Sequence, residues 1–522
     1  MKKSFNDPIL LVFAFFLPVM FWQKSEVVDH FNPEQNTLPV YSSDSTIISV
    51  ERADQLLLKL LGSDPWKKLP DASSLAWGEA ATLNAVMDMY EATGNRKYLD
   101  ILARRGNQLM TYRDDKRGVA DMSGYIRPGW SMGFKYVVAT AVIVNVAGDT
   151  IADIRSTTFS SNLYTSIEII SGNQEGRYTI KVENKPLKRT ELFENISLDK
   201  TDNRFIERTI NDPMAPYSAA AGNSSEKSHL IKIRFRKAGV IRPQKIQLKP
   251  LSLAYTGYLG IIYQPLLRFA EAVKRDSRLA ELNQTADYFI HSAEESYRDA
   301  NKRVWRNGPG AGEGYYITCE KGESFPADNV GQPFNYLGKH VCALLSLYRL
   351  TKKNDYYSLS EKMCRLFKNR LSYQSADDLY VWKYWYEPMT TTGWTPKDGI
   401  SSNTSYFKPA PHIEDISHGV LDIAMVSEAY KERLVFDNSD MKRFANTLLK
   451  NILIPDGTGV TRKVDGVGEA YDPYLSALFG WLELSDANKE VYHRIKNLYT
   501  KRNKESFLFS ARLLKWENRL KI

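Results

Sequence analysis

The sequence has few cysteines and lacks the short motifs that most often reveal a metal or redox function. Its 522 residues include three cysteines, Cys319, Cys342 and Cys364, and no CxxC pair. A disulfide framework is therefore excluded as the organising principle of the fold, and we expect three buried thiols. HExxH and zinc-finger spacings are also missing, so we expect no metal site and no other cofactor.

The chain also lacks a concentrated tract of lysine and arginine. The formal net charge of +9 comes from 70 basic and 61 acidic residues that are spread along the whole sequence. An Arg/Lys-Gly-aromatic motif is absent as well, so we expect no nucleic-acid partner. An acidic polysaccharide or oligosaccharide fits the same charge balance at least as well.

No hydrophobic run reaches the roughly 20 residues that a membrane-spanning helix usually needs. The longest one, Ile9 to Trp22, follows Lys2 and Lys3 and is typical of an export signal, although no small-x-small cleavage site follows it. We predict a signal peptide or short membrane anchor at 1–24 and a linker at 25–49. The expected location is periplasmic, cell-surface or anchored, with membrane association through this segment.

The clearest feature that is present is a repeated helix–turn–helix phrase. The stretch "LNAVMDMYEATGNRKYLDILARRGNQL" from Leu83 matches "HVCALLSLYRLTKKNDYYSLSEKMCRLF" from His340, and looser copies begin at Tyr263, Val420 and Tyr471. Such hairpins cannot bury their apolar faces alone, so they stack as a solenoid or as a closed ring. The irregular spacing and the long connections favour the ring, an α/α toroid.

Between the first two hairpins the pattern changes from helical to alternating. From about Lys135 to Leu251 the sequence is rich in β-branched residues, with turn signals such as "SGNQEG" and "ENKP". The predicted fold class is mainly α: an α/α toroid with an inserted antiparallel β-sandwich-like module. The predicted boundaries are 50–132 for the first part of the toroid, 133–251 for the β module and 252–522 for the rest of the toroid.

Three polar or aromatic connections lie next to predicted helices. In "SSLAWGEAATL", Trp77 and Glu79 open a helix, where the glutamate is also a favourable partner of the helix dipole. In "QPFNYLGKH", Asn335 precedes Tyr336 at another helix start and is also a candidate helix cap. The run "DDLYVWKYWYEP" is strongly aromatic, and we expect some of its rings to be exposed as stacking surfaces for sugars.

A fourth connection is the most acidic and the richest in histidine. In "KPAPHIEDISHGVLDIAMVSEAY", His412, Glu414, Asp415 and His418 surround a helix start. An imidazole beside a carboxylate has a tunable pKa, and the helix start attracts an anionic substrate, so general acid–base chemistry is predicted. In the alternative interpretation, Asp415 or Ser417 caps the helix while the histidines form hydrogen bonds inside the protein.

The phrases "MYEATGNRKYLD", "PFNYLGKHVCALLSLYRLT" and "HIEDISHGVLDIAMV" resemble those of the α/α-toroid carbohydrate-active enzymes. That group includes six-hairpin glycosidases, unsaturated uronyl hydrolases, uronate polysaccharide lyases and glucuronyl C5-epimerases. The resemblance covers the helical parts, about 50–125 and 252–503. It implies an enzyme that acts on a uronate-containing glycan, either a lyase or a glycoside hydrolase.

Within that resemblance two mechanisms compete. A lyase uses a Tyr or His base and an Asn, Arg or His that neutralises the uronate carboxylate, whereas a hydrolase uses two carboxylates. The predicted catalytic residues are His412, His418, Tyr336, Glu414, Asp415 and Glu79, and the predicted substrate-binding residues are Trp77, Arg127, Trp130, Asn335, Trp382, Trp385 and Tyr406. Two alternatives stay open: a C5-epimerase-like enzyme, and a noncatalytic glycan-binding or assembly protein of the cell envelope.

Overall fold

A computed structural model describes residues 48–62, 71–133, 137–157, 164–211, 226–323, 325, 328–386, 412–502 and 505–521. The predicted export segment and Tyr406 lie outside these ranges. Within them, no helix combines the length and the apolar character needed to cross a lipid bilayer.

Helices account for most of the ordered elements. In chain order they are α1 Val50–Gly62, α2 Ala81–Thr93, α3 Lys97–Thr111, α4 Asp114–Arg117, α5 Ile206–Ile210, α6 Leu259–Arg275, α7 Asn283–Arg303, α8 Phe334–Thr351, α9 Asn354–Lys368, α10 Ile416–Lys431, α11 Asn438–Asn446, α12 Leu478–Trp481, α13 Lys489–Arg502 and α14 Phe507–Leu520. A π-helical turn, Leu75–Ala80, leads into α2, and 3₁₀ turns at Asp472–Ala477 and Leu482–Asp486 extend α12.

Six of these helices form a closed inner ring. Each of α2, α6, α8, α10, α12 and α14 contacts the next in this order, and α14 returns to contact α2. The outer helices α3, α7, α9 and α11 each pack on the inner helix that precedes them, and α13 packs on the turn Leu482–Asp486. Because outer helices return along inner ones, the inner helices all begin at the same end of the ring, which we call the entry end.

The sixth hairpin joins the two ends of the described chain. Outer helix α1 packs on inner helix α14, and the Arg52 guanidinium forms an ion pair with the Glu505 carboxylate just before α14. The sequence repeat identified five hairpins, because the two helices of the sixth are more than four hundred residues apart.

The inserted strands form two antiparallel four-stranded sheets. The strands are β1 Ala139–Val144, β2 Thr150–Ser156, β3 Thr165–Ser171, β4 Arg177–Asn184, β5 Arg189–Ser197, β6 Ile231–Phe235, β7 Gln244–Gln247 and β8 Lys249–Pro250. Their orders are β6-β2-β1-β8 and β5-β4-β3-β7. Two short hairpins, β9 Trp305–Asn307 with β10 Gly314–Tyr316 and β11 Ser372–Gln374 with β12 Leu379–Val381, lie within the helical part.

The helical ring and the two sheets have separate apolar cores. The larger core unites the hairpins, and the smaller one joins both sheets through residues such as Ile143, Ile169 and Ile180. Strand β4 shows the reason, because buried residues alternate along it with partly exposed ones. The predicted fold class, an α/α toroid with an inserted β module, is confirmed.

Candidate active site

The candidate site lies at the entry end of the ring, where α8 and α10 begin. The segment after β12 joins these two helix starts: the Glu414 amide donates to the Trp382 carbonyl at 3.0 Å, and the Tyr384 amide donates to the His412 carbonyl at 3.1 Å. An antiparallel bridge then connects Asp415 to Lys463. Backbone pairing therefore brings three distant segments to one place.

Asp415 and His418 form a hydrogen-bonded dyad at the start of α10. One oxygen of Asp415 caps the helix, because Oδ1 accepts from the amides of Ser417 at 2.8 Å and His418 at 3.0 Å. The other oxygen, Oδ2, lies 2.6 Å from Nδ1 of His418. The interpretation of Asp415 as a helix cap is confirmed, and the same carboxylate also forms a hydrogen bond with His418.

The ionisation of Asp415 fixes the orientation of the imidazole. Burial alone would raise the pKa of Asp415, but the charge and hydrogen bonds of His418 lower that pKa to about 2. A carboxylate only accepts hydrogen bonds, so Nδ1 of His418 carries the hydrogen and Nε2 is left for other chemistry. The His418 side chain keeps 12 % of its surface exposed, in line with a group that a ligand can reach.

Tyr384 lies between the two histidines of this region. Its ring stacks on His412 with centroids 5.1 Å apart and meets the edge of His418 at 4.8 Å. Burial lowers the pKa of His412 to about 4, so this imidazole is neutral near pH 7. Burial raises the pKa of Tyr384 and a polar interaction with the Asn335 side chain lowers it, so the start of α8 lies beside this cluster.

Further aromatic rings continue the cluster toward the start of α2. The Tyr336 ring packs edge-on against Tyr258 at 5.7 Å, and Trp77 lies 6.3 Å from each of these two rings. Burial raises the pKa of both Tyr336 and Tyr384 well above the ordinary value, so both hydroxyls keep their protons. Trp77 and Tyr336 contact each other, and Asn335 and Tyr336 interact electrostatically with Tyr384, whose ring contacts both histidines.

Two cations near this cluster were missed by the sequence analysis. Arg462 and Lys463 lower the pKa of His412 by electrostatic repulsion, although burial contributes more. Arg462 lies over the Tyr471 ring at 5.4 Å. The signal was the basic pair in the loop before the last repeated hairpin. Tyr255 and Tyr258 were also missed. The sequence signal for these two tyrosines was their position just before α6.

Two buried carboxyl groups lie behind the dyad and share a hydrogen bond. Oε1 of Glu414 accepts from the Asp415 amide at 2.9 Å, and Oδ2 of Asp422 accepts from Nε1 of Trp382 at 2.9 Å. Burial and the neighbouring acids raise the pKa of Glu414, and burial raises that of Asp422 to about 8. These raised pKa values favour a protonated carboxyl group in the Glu414–Asp422 pair near neutral pH.

Glu414, Asp415 and His418 are also the described residues best placed to hold a metal ion, because one ligand atom from each lies within 4.8 Å of the others. Their hydrogen bonds occupy the same atoms, however. Nδ1 of His418 and both oxygens of Asp415 already have protein partners, and the raised pKa of Glu414 favours its protonated form. This arrangement fits proton transfer better than metal ligation.

Three other predicted residues have their contacts away from the dyad. Glu79 is buried and accepts from Nε of Arg105, on α3, at 2.6 Å. Arg127 binds Asp121 at 2.9 Å and Asp299, on α7, at 3.3 Å. The Trp130 ring packs on Tyr263 at 5.3 Å. The structure therefore does not bring these three into direct contact with the dyad.

The expectation that aromatic rings of 382–386 are exposed is wrong. Trp382 and Trp385 are 1 % and 2 % exposed, and Tyr384 and Tyr386 are equally buried. Nε1 of Trp382 donates to Asp422 and Nε1 of Trp385 donates to the Gly331 carbonyl, both at 2.9 Å. Both faces of this segment are covered, because it runs between α10 and the loop that precedes α8.

Comparison with known proteins gives only distant similarities. No family model matches the chain, and no curated protein matches it significantly by sequence. Among solved structures it resembles a sugar epimerase from a ruminal bacterium, with a TM-score of 0.36 and 11% identity over 54% of this chain and 76% of that one. The assignment of an α/α toroid rests on the closed ring of helices itself.

Two glycoside hydrolases of family 76 from Bacteroides thetaiotaomicron are similar at a comparable level. The one from a bovine strain has a TM-score of 0.31 and 13% identity, covering 51% of this chain and 56% of its own. The other is described as a mannosidase from strain VPI-5482. It has a TM-score of 0.29 and 12% identity, and the match covers 51% of this chain and 70% of that one.

Proposed function

We propose that the protein is an exported carbohydrate-active enzyme that removes the proton beside the carboxylate of a uronate residue in an acidic polysaccharide or oligosaccharide. The observation that carries this proposal is the His418–Asp415 hydrogen bond of 2.6 Å, which orients a partly exposed imidazole as a base. The export part of the proposal rests on the sequence of residues 1–24 alone.

The surrounding groups support this chemistry. Arg462 and Lys463 provide positive charge next to His412 for the substrate carboxylate. In an elimination, Nε2 of His418 takes the C5 proton, the electron pair forms the C4–C5 double bond, and the bond from C4 to the bridging oxygen breaks. The departing oxygen takes a proton from solvent water, because Tyr384 and Tyr336 are buried and their raised pKa values keep them protonated.

An epimerisation uses the same first step. After His418 removes the C5 proton, a proton returns from the opposite face of the sugar ring, and the glycosidic bond stays intact. That second proton comes from solvent water, because the tyrosines near the dyad are buried.

The carboxylates give less support to hydrolysis, which needs an acid and a base or nucleophile that both reach the glycosidic bond. Glu79 is buried against Arg105. Glu414 is fully buried, and its raised pKa favours the protonated form. Asp415 is engaged by the α10 backbone and by His418. Elimination or epimerisation is therefore the function that this geometry favours.

The test is to incubate the purified protein with a panel of uronate polysaccharides. Ultraviolet absorbance detects unsaturated ends, a reducing-sugar assay detects cleavage, and deuterium incorporation from heavy water detects C5 exchange. We expect unsaturated ends or C5 exchange with the wild type. Because His418 is the proposed base, His418→Ala is expected to lower the rate by about 10²–10⁴-fold.

The matched control is His291→Ala, which removes a histidine that is 68% exposed on outer helix α7 and should leave the rate unchanged. Circular dichroism spectra of both variants check that they fold. Reducing ends without unsaturation or exchange would indicate hydrolysis instead. Glycan binding with no reaction in any of the assays would indicate the noncatalytic alternative.

A further inference from the structure

A cavity lies inside the ring and extends from near the helix starts to the end opposite the entry end. It has a volume of 1260 Å³ and is lined by residues of all six inner helices. Its mouth includes Gly94, Asp276 and Glu432, which follow the C-terminal ends of α2, α6 and α10. Small-molecule sites are commonly about 300–1,000 Å³, so this cavity can hold a sugar-sized ligand.

The lining of this cavity is strongly charged and has an excess of positive charge. Nine of the lining residues are arginine or lysine and six are aspartate or glutamate. Most of the cations are compensated: Arg349, for example, binds both Glu271 and Glu428 at 2.9 Å. Arg268 similarly binds Asp88 and Glu91, both at 2.7 Å.

Lys339 is the exception deep in the cavity. Its Nζ donates to Oε1 of Gln264 at 2.9 Å, and it forms no ion pair with any carboxylate in the described part of the chain. Burial lowers the pKa of Lys339, as expected for an ammonium group without a close counter-ion. An ammonium group has three hydrogens to donate, so Nζ can still bind an anionic oxygen.

Neutral polar and aromatic groups surround the same position. Gln264 lies beside Lys339, Asn84 lines the cavity next to Arg268, and Trp77 forms part of the inner end of the cavity. An amide, an indole ring and a cation together suit a polyhydroxylated molecule that carries one anionic group. The Trp77 ring also contacts Tyr336, so it lies between this cavity and the other rings of the aromatic cluster at the entry end.

We propose that this cavity is a second ligand site, distinct from the dyad, that binds a small anionic sugar with its carboxylate or phosphate group on Lys339 and Gln264. The ligand enters between the C-terminal ends of the inner helices. This site does not depend on the reaction proposed for His418, because its two anion contacts, Lys339 and Gln264, are not part of the dyad.

Isothermal titration calorimetry at fixed ionic strength tests this site with three probes: glucuronate, glucose 1-phosphate and neutral glucose. We expect at least one anionic probe to bind the wild type and glucose to bind much more weakly. The preference between the two anionic probes identifies the acidic group that the site accepts. Lys339→Met is expected to lower the affinity for the anionic probe by about tenfold or more. This is the usual effect of losing a hydrogen bond to a charged group.

Two controls separate this site from the dyad and from nonspecific charge effects. Lys302→Met removes an exposed cation from outer helix α7 and should leave binding unchanged. His418→Ala should also leave it unchanged, whereas a loss of binding in that variant would place the probe at the dyad and overturn the proposal. Lys339→Gln provides a second variant if Lys339→Met lowers the melting temperature.

Three other results would also overturn the proposal. They are no binding of either anionic probe, equal binding of glucose and the anionic probes, and wild-type affinity in both Lys339 variants. Each of these outcomes would show that the cations of the cavity act only on one another and on the neighbouring carboxylates.

Discussion

At the scale of single residues, the environment gives chemically identical side chains different properties. His418 keeps a charged partner, Asp415, and retains some exposure. His340, on α8, is fully buried between neutral partners, with Nδ1 3.0 Å from the Tyr297 hydroxyl and Nε2 3.1 Å from Oε1 of Gln332. Burial lowers the pKa of His340 to about 3, so the first histidine suits proton transfer and the second suits a structural role.

The buried histidines predict a pH dependence of stability. In the unfolded chain a histidine binds a proton below about pH 6.5, whereas folded His340 and His412 bind one only below about 3 and 4. The unfolded state therefore binds more protons, and the contribution of these residues to the free energy of unfolding falls as pH decreases from 6.5 toward 4. Urea denaturation measures the free energy of unfolding across this pH range. For His340→Gln this free energy should fall less steeply with decreasing pH than it does for the wild type.

The pH dependence of the variant must be compared with that of the wild type, because the buried acids change stability with pH in the opposite direction to the histidines. The raised pKa values of Glu414 and Asp422 add stability at low pH that is lost as pH rises, for Asp422 through about 8. The control is His291→Gln, at an exposed position, which should keep the wild-type slope. Equal slopes in all three proteins would contradict a neutral, buried His340.

At the scale of secondary-structure elements, small residues set how closely the inner helices approach. Gly260, in the first turn of α6, faces the backbone of α8, where a Cβ atom would lie 2.3 Å from the carbonyl carbon of Lys339. Gly338, on α8, faces α10 in a similar way, with a Cβ position 2.8 Å from the Leu421 carbonyl oxygen. These close contacts hold Lys339 and the start of α10 in place.

Replacing one of these glycines should therefore lower stability. We expect Gly260→Ala to reduce the free energy of unfolding by about 1–3 kcal/mol, because the added methyl group overlaps backbone atoms that cannot move easily. Urea denaturation followed by circular dichroism measures the change.

The matched control is Gly78→Ala, which we expect to raise the free energy of unfolding instead of lowering it. Gly78 lies in the turn Leu75–Ala80 with no atom within 4 Å of its Cβ position, and alanine favours helical backbone over glycine by about 0.5–1 kcal/mol. Equal effects of the two substitutions would show that the contact between α6 and α8 is not tight.

At the scale of the whole molecule, buried charges connect the last helix to the first part of the ring. Nε of Arg512, on α14, binds Oδ2 of Asp88, on α2, at 2.5 Å, and the same guanidinium binds Glu483 after α12. The cation thus joins three inner helical elements at the point where the ring closes. Asp88 and Glu483 are both buried, so they depend on this compensation.

Removing that cation should be costly. Arg512→Met leaves two buried carboxylates with less compensation, and we expect it to lower the free energy of unfolding by about 3–5 kcal/mol. Arg519→Met, on the same helix, removes a cation that is 49% exposed and pairs with Asp486, and it should cost about 0–1 kcal/mol. Thermal or urea denaturation of both variants makes the comparison, and similar losses would contradict a structural role for the buried network.

The site could be predicted from the sequence only where it is local. Asp415 and His418 are three residues apart at a helix start, so their contact follows from helix geometry. Tyr384, Arg462 and Lys463 reach the dyad through backbone pairing between segments that are far apart in the chain. The exposure expected for Trp382 and Trp385 was wrong because alternation along one strand does not reveal what covers its two faces.

The sequence by itself determined the fold class. Helical periodicity, repeated five times and interrupted by a stretch of period two, is sufficient to specify hairpins and a β module, because each pattern reflects which local faces are apolar. The tertiary structure alone decided how the ring closes, through α1 and α14, and which polar side chains meet at its two ends. Those contacts join residues hundreds of positions apart, and they depend on packing between elements rather than on the pattern within any one of them.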